Sequence, residues 1–155
     1  MNLIEQISEK LKSHHWKLVT AESCTGGGLA YHLTQIPGSS AWYERGFVTY
    51  SNDAKEQLLQ VKNQTLVQHG AVSAETASEM AVGALQNSQA QLSISITGIA
   101  GPDGGTKEKP VGTVWFGWAG KYIKTETEMQ LFEGDRTSIR EQAIQFALAK
   151  IITLL

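Results

Sequence analysis

Apolar positions along the chain switch between two periods, and the switches mark out the elements. Leu3, Ile4, Ile7 and Leu11 recur at helical spacing and predict an amphipathic helix that ends near Ser13-His14-His15. Trp16 to Val19 reads as a short strand. It runs into Thr20-Ala21-Glu22-Ser23-Cys24-Thr25-Gly26-Gly27-Gly28, after which a helix beginning at Leu29 stops before the loop Pro37-Gly38-Ser39-Ser40. Gly46 to Tyr50 reads as a second strand, with Ser51-Asn52-Asp53 as caps for a helix carrying Lys55, Leu58 and Leu59. Beyond Ser73, the positions Ala77, Met80, Ala81, Ala84 and Leu85 make an i, i+3, i+4, i+7, i+8 stripe with Glu75 in the first turn. Leu92, Ile94 and Ile96 then alternate with Ser93, Ser95 and Thr97, a strand that leads directly into a second glycine-rich loop, Gly98 to Gly105.

Val111 to Ala119 and Tyr122 to Phe132 are both strand-like and are joined at Gly120-Lys121, which predicts an antiparallel hairpin with a tight turn. In its second arm Lys124, Glu126, Glu128 and Gln130 alternate with Ile123, Thr125, Thr127, Met129 and Leu131. One wet face places that arm at a sheet edge. Gly134-Asp135 opens a last helix with Ile139, Ala143, Ala147 and Ile151 inward. Strands alternating with helices and followed by a hairpin predict a single α/β domain over residues 1–155. Its architecture is a three-layer α/β/α sandwich with a mixed, mostly parallel sheet of about five strands. Ligands of such sheets bind outside the carboxyl ends of the strands. Three polar or glycine-rich turns fall there: Glu22 to Gly28, Tyr50 to Lys55, and Thr97 to Gly105.

Composition narrows the classes of function. With 41% hydrophobic and 18% charged residues the chain is globular, and a formal charge of −2 with scattered Lys and Arg argues against a nucleic-acid partner. The one cysteine forms no internal disulfide, the first residues lack the pattern of a secretory signal, and no apolar run approaches the about 20 residues that span a bilayer. A cytoplasmic protein without a membrane partner is expected. His14, His15, His32 and His69 have no metal-site spacing, so packed or surface roles are expected for them and no metal is called for.

At the strand-to-helix turn, Ser23 and Thr25 read either as helix caps or as hydroxyls poised for attack beside free backbone N–H groups. Cys24 reads as a buried structural thiol, since no histidine is placed to serve it. Lys55 taken alone reads as a solvated lysine; it acts as a base only if its surroundings strip its proton. Gly98 to Gly105 matches neither the GxGxxG nor the GxxxxGK[ST] spacing. It is either an anion cradle of backbone N–H groups or a long turn.

Several segments in order carry a resemblance. Thr20 to Gly27, Gly38-Ser39-Ser40 with Gly46 to Asn52, His69 to Ser73, Thr97 to Gly105 and Lys109 to Val114 resemble the CinA C-terminal domain family, whose characterised enzymes are nicotinamide-nucleotide amidases. The similarity covers nearly the whole chain. It implies a three-layer sandwich and hydrolysis of the carboxamide of nicotinamide mononucleotide to nicotinate mononucleotide and ammonia, returning the ring to NAD synthesis. No cofactor or metal is implied. The matching Ser/Lys pair is Ser23 and Lys55, which reverses the bland reading of Lys55. The expected substrate contacts are Thr25, Gly26 and Gly27 at the oxyanion, and Tyr50, Thr97, Gly98 and Gly101 around the nucleotide. Arg45 and Arg136 are the candidate phosphate partners. A homodimer is expected from the family. Many members carry a larger molybdopterin-binding-like domain ahead of this one, and its activities are not carried over. Competing expectations are a nucleotide-binding module without turnover and an amidase acting on a related amide.

Overall fold

A computed structural model describes residues 1–155 and gathers five strands into one mixed sheet. They are β1 (Leu18–Glu22), β2 (Tyr43–Val48), β3 (Leu92–Gly98), β4 (Thr113–Gly120) and β5 (Glu126–Leu131), in the spatial order β2-β1-β3-β4-β5. β1 pairs parallel with β2 on one side and β3 on the other, because helices carry the chain back between them. β4 runs antiparallel to β3, and β5, antiparallel to β4, points back along the first three. The helices are α1 (Leu3–His14), α2 (Gly28–Leu33), α3 (Asn52–Leu59), α4 (Asn63–His69), α5 (Ala74–Gln86) and α6 (Arg136–Leu154). α1, α2 and α6 bury Ile7, Leu11, Leu29, Ala143 and Ala147 with Leu18, Ile94 and Phe116 on one face of the sheet. α3 to α5 bury Leu59, Leu66, Met80 and Ala84 with Val19 and Ala21 on the other. This is the expected three-layer sandwich. No helix is long and apolar enough to cross a membrane.

The alternation in β3 has an unexpected outcome, because its polar positions are as dry as its apolar ones. Leu92, Ile94 and Ile96 enter the larger core, while Ser93 and Ser95 are fully buried under α5. There Ser93 Oγ donates to Ala81 O and Ser95 Oγ to Ala77 O, each at 2.6 Å, so each hydroxyl finds an acceptor on the helix lying over it. Small residues are required for that approach. A Cβ added at Gly117, next to Ser95 on β4, would stand 2.5 Å from Ala77 O.

Four sequence expectations change in the structure. β1 extends to Glu22, so the first residues of the glycine-rich segment belong to the strand. β2 starts earlier, at Tyr43, and ends at Val48, which leaves Thr49 and Tyr50 outside the sheet with their carbonyls available. The hairpin connection runs over 121–125 rather than turning at Gly120-Lys121, because Tyr122 stacks on Trp16 and Ile123 packs against the larger core instead of pairing across the strands. β5 is an edge as expected, yet its faces are not simply wet and dry. Glu128 is half-buried and pairs with Lys150 of α6 at 2.9 Å, whereas Met129 and Leu131 are exposed. α4 carries no clear stripe or capping side chain. It is held from outside, where Glu79 of α5 accepts from Lys62 N and Thr65 Oγ1.

Candidate active site

The turn after β1 is built around a buried carboxylate. Glu22, 1% exposed, accepts from Thr25 Oγ1 at 2.6 Å and from Leu29 N and Ala30 N at 2.9 and 3.0 Å. Those two N–H groups belong to the first turn of α2, which otherwise has no partner for them and whose dipole favours a negative charge there. Glycine stands at the helix N-cap, Gly27 with φ +99°, and offers no side chain. Capping by Ser23 or Thr25 is therefore not what the structure shows: the strand's own carboxylate does it. Ser23, nearly buried at the end of β1, keeps its hydroxyl free for Lys55.

Lys55 sits on the first turn of α3, whose N-cap Ser51 accepts from Ala54 N. Its side chain turns into the protein and is 1% exposed. Nζ lies 2.9 Å from Ser23 Oγ, 3.0 Å from Thr49 O and 3.1 Å from Tyr50 O, and no carboxylate forms an ion pair with it. Burial lowers its pKa from 10.5 to about 8. This arrangement serves both protonation states. As an ammonium, Lys55 donates to all three oxygens and Ser23 Oγ donates onward to Tyr50 O at 3.4 Å. As a neutral amine it keeps two donors for the carbonyls and turns its lone pair to the Ser23 hydroxyl. Burial raises the Cys24 thiol to about 11, so the neighbouring sulfur stays protonated and unreactive.

Ser23 and Lys55 open onto a cavity of about 280 Å³ outside the carboxyl ends of β1 and β3. Its walls include Tyr50, Asn52, Thr97, Gly98, Gly101 and Arg136. Within the second glycine-rich loop, the N–H groups of Ala100, Gly101, Asp103 and Gly104 donate to no group of the chain. Arg136, the first residue of α6, reaches across with Nη1 donating to Gly101 O at 2.8 Å and Nη2 to the Tyr50 hydroxyl at 3.2 Å. Close packing of the loop demands glycine at Gly101, which has φ +79° and where a Cβ would stand 2.5 Å from Val111 Cγ1. A loop with unpaired donors beside an arginine suits an anion.

Most of the expected residues converge and a few do not. Ser23, Lys55, Tyr50, Thr97, Gly98, Gly101 and Arg136 line the cavity. Thr97 does so with its hydroxyl already donating to Ala71 O at 2.7 Å. Thr25, Gly26 and Gly27 present no side chain to it: the Thr25 hydroxyl is bonded to Glu22, and Gly27 faces Val48, so any part they take is through their backbone. Arg45 is removed from the site. It lies opposite Val19 in the β1–β2 ladder, three residues short of the strand end, and is held by Glu44 and Asn87 O. Strand register therefore corrects its assignment as a phosphate partner. Sequence reasoning missed Glu22, Asn52 and Arg140. A carboxylate closing a strand before a glycine-rich helix start was the one available signal for Glu22. No group of three or more His, Cys, Asp or Glu gathers anywhere in the chain.

Comparison with known proteins gives a consistent picture. The model of the CinA C-terminal domain matches residues 1–155. A protein of Escherichia coli (strain K12) named nicotinamide-nucleotide amidohydrolase PncC is 54% identical over 148 residues, 96% of this chain and 90% of that protein. One of the same name from Pseudomonas putida is 44% identical over 152 residues, 98% of this chain and 94% of its own length. Among solved structures, a competence-damaged protein (CinA) superfamily protein from Escherichia coli superposes with a TM-score of 0.95 at 42% identity, covering 99% of this chain and 89% of that one. Sequence, fold and full-length coverage together show that the chain belongs to the CinA C-terminal domain family.

Proposed function

We propose that the protein hydrolyses the carboxamide of nicotinamide mononucleotide to nicotinate mononucleotide and ammonia, with Ser23 as nucleophile and Lys55 as general base. The observation that carries the mechanism is the 2.9 Å contact between Ser23 Oγ and the Nζ of a buried lysine that has no counter-charge. The names of the similar full-length proteins support the substrate.

With a pKa of about 8, roughly a quarter of the Lys55 amines are neutral at about pH 7.5. The neutral amine takes the Ser23 proton as Oγ bonds to the amide carbon, and the carbonyl π pair moves onto oxygen. Backbone N–H groups just after Ser23 receive that charge. Thr25 N–H donates to nothing in the chain and Cys24 N–H only to its own thiol, and both are suited to it. The Lys55 ammonium then gives its proton to the departing nitrogen as the C–N bond breaks, leaving a Ser23 ester and ammonia. Water, deprotonated by Lys55, attacks the ester carbon; the proton passes from Lys55 to Ser23 Oγ as the ester bond breaks, and the acid leaves as carboxylate, its proton taken up by ammonia or solvent. The cationic pyridinium of this substrate withdraws electrons from the amide, which suits a weak base. Arg136 and the free N–H groups of Ala100 to Gly104 would receive the phosphate, and Tyr50 and Asn52 flank the path to it.

Incubation of the purified protein with nicotinamide mononucleotide should release ammonia and nicotinate mononucleotide in equal amounts. Ser23→Ala and Lys55→Ala should abolish release while retaining the fold by circular dichroism. Full turnover in either variant would remove the proposed pair. Binding without product would favour a silent nucleotide-binding module, and turnover with a different amide alone would reassign the substrate.

A further inference from the structure

Arg140 does not line the cavity, yet it grips the turn that carries Ser23. From one turn into α6, its Nε donates to Cys24 O at 3.0 Å and its Nη2 to Thr25 O at 3.4 Å. Gly26, with φ +61°, makes room for it: a Cβ there would stand 3.3 Å from Nη2. In a trans peptide the C=O and the following N–H point in opposite directions. By holding the Cys24 carbonyl toward α6, Arg140 turns the Thr25 N–H away from that helix. The preceding peptide is fixed by the turn itself. Gly26 N donates to Ser23 O at 3.0 Å, which turns the Cys24 N–H the other way. The Thr25 N–H is unpartnered and the Cys24 N–H meets only its own thiol, and both directly follow the proposed nucleophile. Of the donors at the start of α2, Gly28 N is taken by Thr25 O and Leu29 N and Ala30 N by Glu22, which leaves only the Gly27 N–H at the N-cap beside this pair.

We infer that Arg140 is a positioning residue for the reaction: its hold on the Cys24 carbonyl, steadied by its second contact to Thr25 O, aims the Thr25 N–H at the oxyanion formed on attack by Ser23. The inference rests on the Ser23 reading above. Charge on the guanidinium adds to the effect, since carbonyls polarised by a cation make their peptide N–H groups better donors.

The test compares wild type, Arg140→Gln and Arg140→Lys in two assays: ammonia release from nicotinamide mononucleotide, and acylation of Ser23 by p-nitrophenyl acetate. Arg140→Gln should lower kcat by about 10- to 100-fold, somewhat less than loss of an oxyanion donor itself, with KM within about twofold of wild type. Arg140→Lys should recover part of that loss, and the midpoint of the rising pH limb should stay where Lys55 puts it. A kcat within about threefold of wild type, a change confined to KM, or a shifted pH midpoint would each overturn the inference. Should Arg140→Gln not fold, Arg140→Lys decides alone, with a kcat equal to wild type overturning the role. If the wild type is acylated but releases no ammonia, the amidase reading fails and the acylation rates judge Arg140 separately. If neither reaction occurs, both fall.

Discussion

Replacing Lys55 by Met should make stability respond to pH in a way that reports the buried amine directly. In the unfolded chain the amine is exposed and titrates near 10.5, whereas burial lowers it to about 8 in the native state. Between those values the unfolded chain binds a proton that the native protein has released, so native stability rises with pH across that window. Below about pH 8 both states are protonated and the native state bears the full desolvation cost, on the order of 3 kcal/mol from the shift. Lys55→Met keeps length and apolar stem and removes the titration. The Thr49 and Tyr50 carbonyls lose their donors at about 1 kcal/mol each, so the variant should be roughly 1 kcal/mol more stable than wild type near pH 7. As pH rises, wild type should gain on the variant by about 1 kcal/mol between pH 7 and 9, and by roughly 2 to 3 kcal/mol by pH 10. Urea unfolding of both proteins at a series of pH values measures the difference, and the titrations common to both cancel. A difference that stays flat or falls with pH would show that Lys55 is not depressed by burial, and the argument for a neutral base would go with it.

Three further outcomes are expected. The rate of ammonia release should rise with pH and level off above about 8, since only neutral Lys55 accepts the Ser23 proton; a rate already maximal at pH 6 would contradict this. Glu22→Gln turns one acceptor of the buried carboxylate into a donor facing Thr25 or the α2 N–H groups, and should cost about 2 kcal/mol in urea unfolding together with a loss of turnover as the Ser23 turn loosens. Gly117→Ala should cost about 1 to 3 kcal/mol, because its methyl meets Ala77 O at 2.5 Å and Ser95 Oγ at 2.8 Å and α5 must back away; an unchanged unfolding midpoint would mean that the layers are looser than these distances require.

What the sequence disclosed and what it hid follow from the range of the interactions. Helical stripes, alternation and glycine-rich turns are local, so the order of elements, the hairpin and the convergence of three turns could all be read from the chain. Lys55 is different. Nothing near it in sequence says that it is buried, because its burial comes from Ser23 and from carbonyls freed where β2 stops short of Thr49. Arg140 lies 116 residues from the carbonyl that it holds, and Arg45 stands away from the cavity because one strand's register sends it back toward the other end of the sheet. α4 escaped notice since Glu79, a residue of another helix, supplies its anchoring.

Burying hydroxyls in the middle strand has a consequence for the chain before it folds. Strands covered on both sides are commonly unbroken runs of Val, Ile and Leu, and such runs adhere to one another while a nascent chain waits for its partners. Leu-Ser-Ile-Ser-Ile-Thr avoids that hazard, because every second position is polar until α5 arrives to accept from the two serines and Ala71 O from the threonine. The same residues that let the helix settle so closely on the finished sheet thus act as gatekeepers against self-association on the way there.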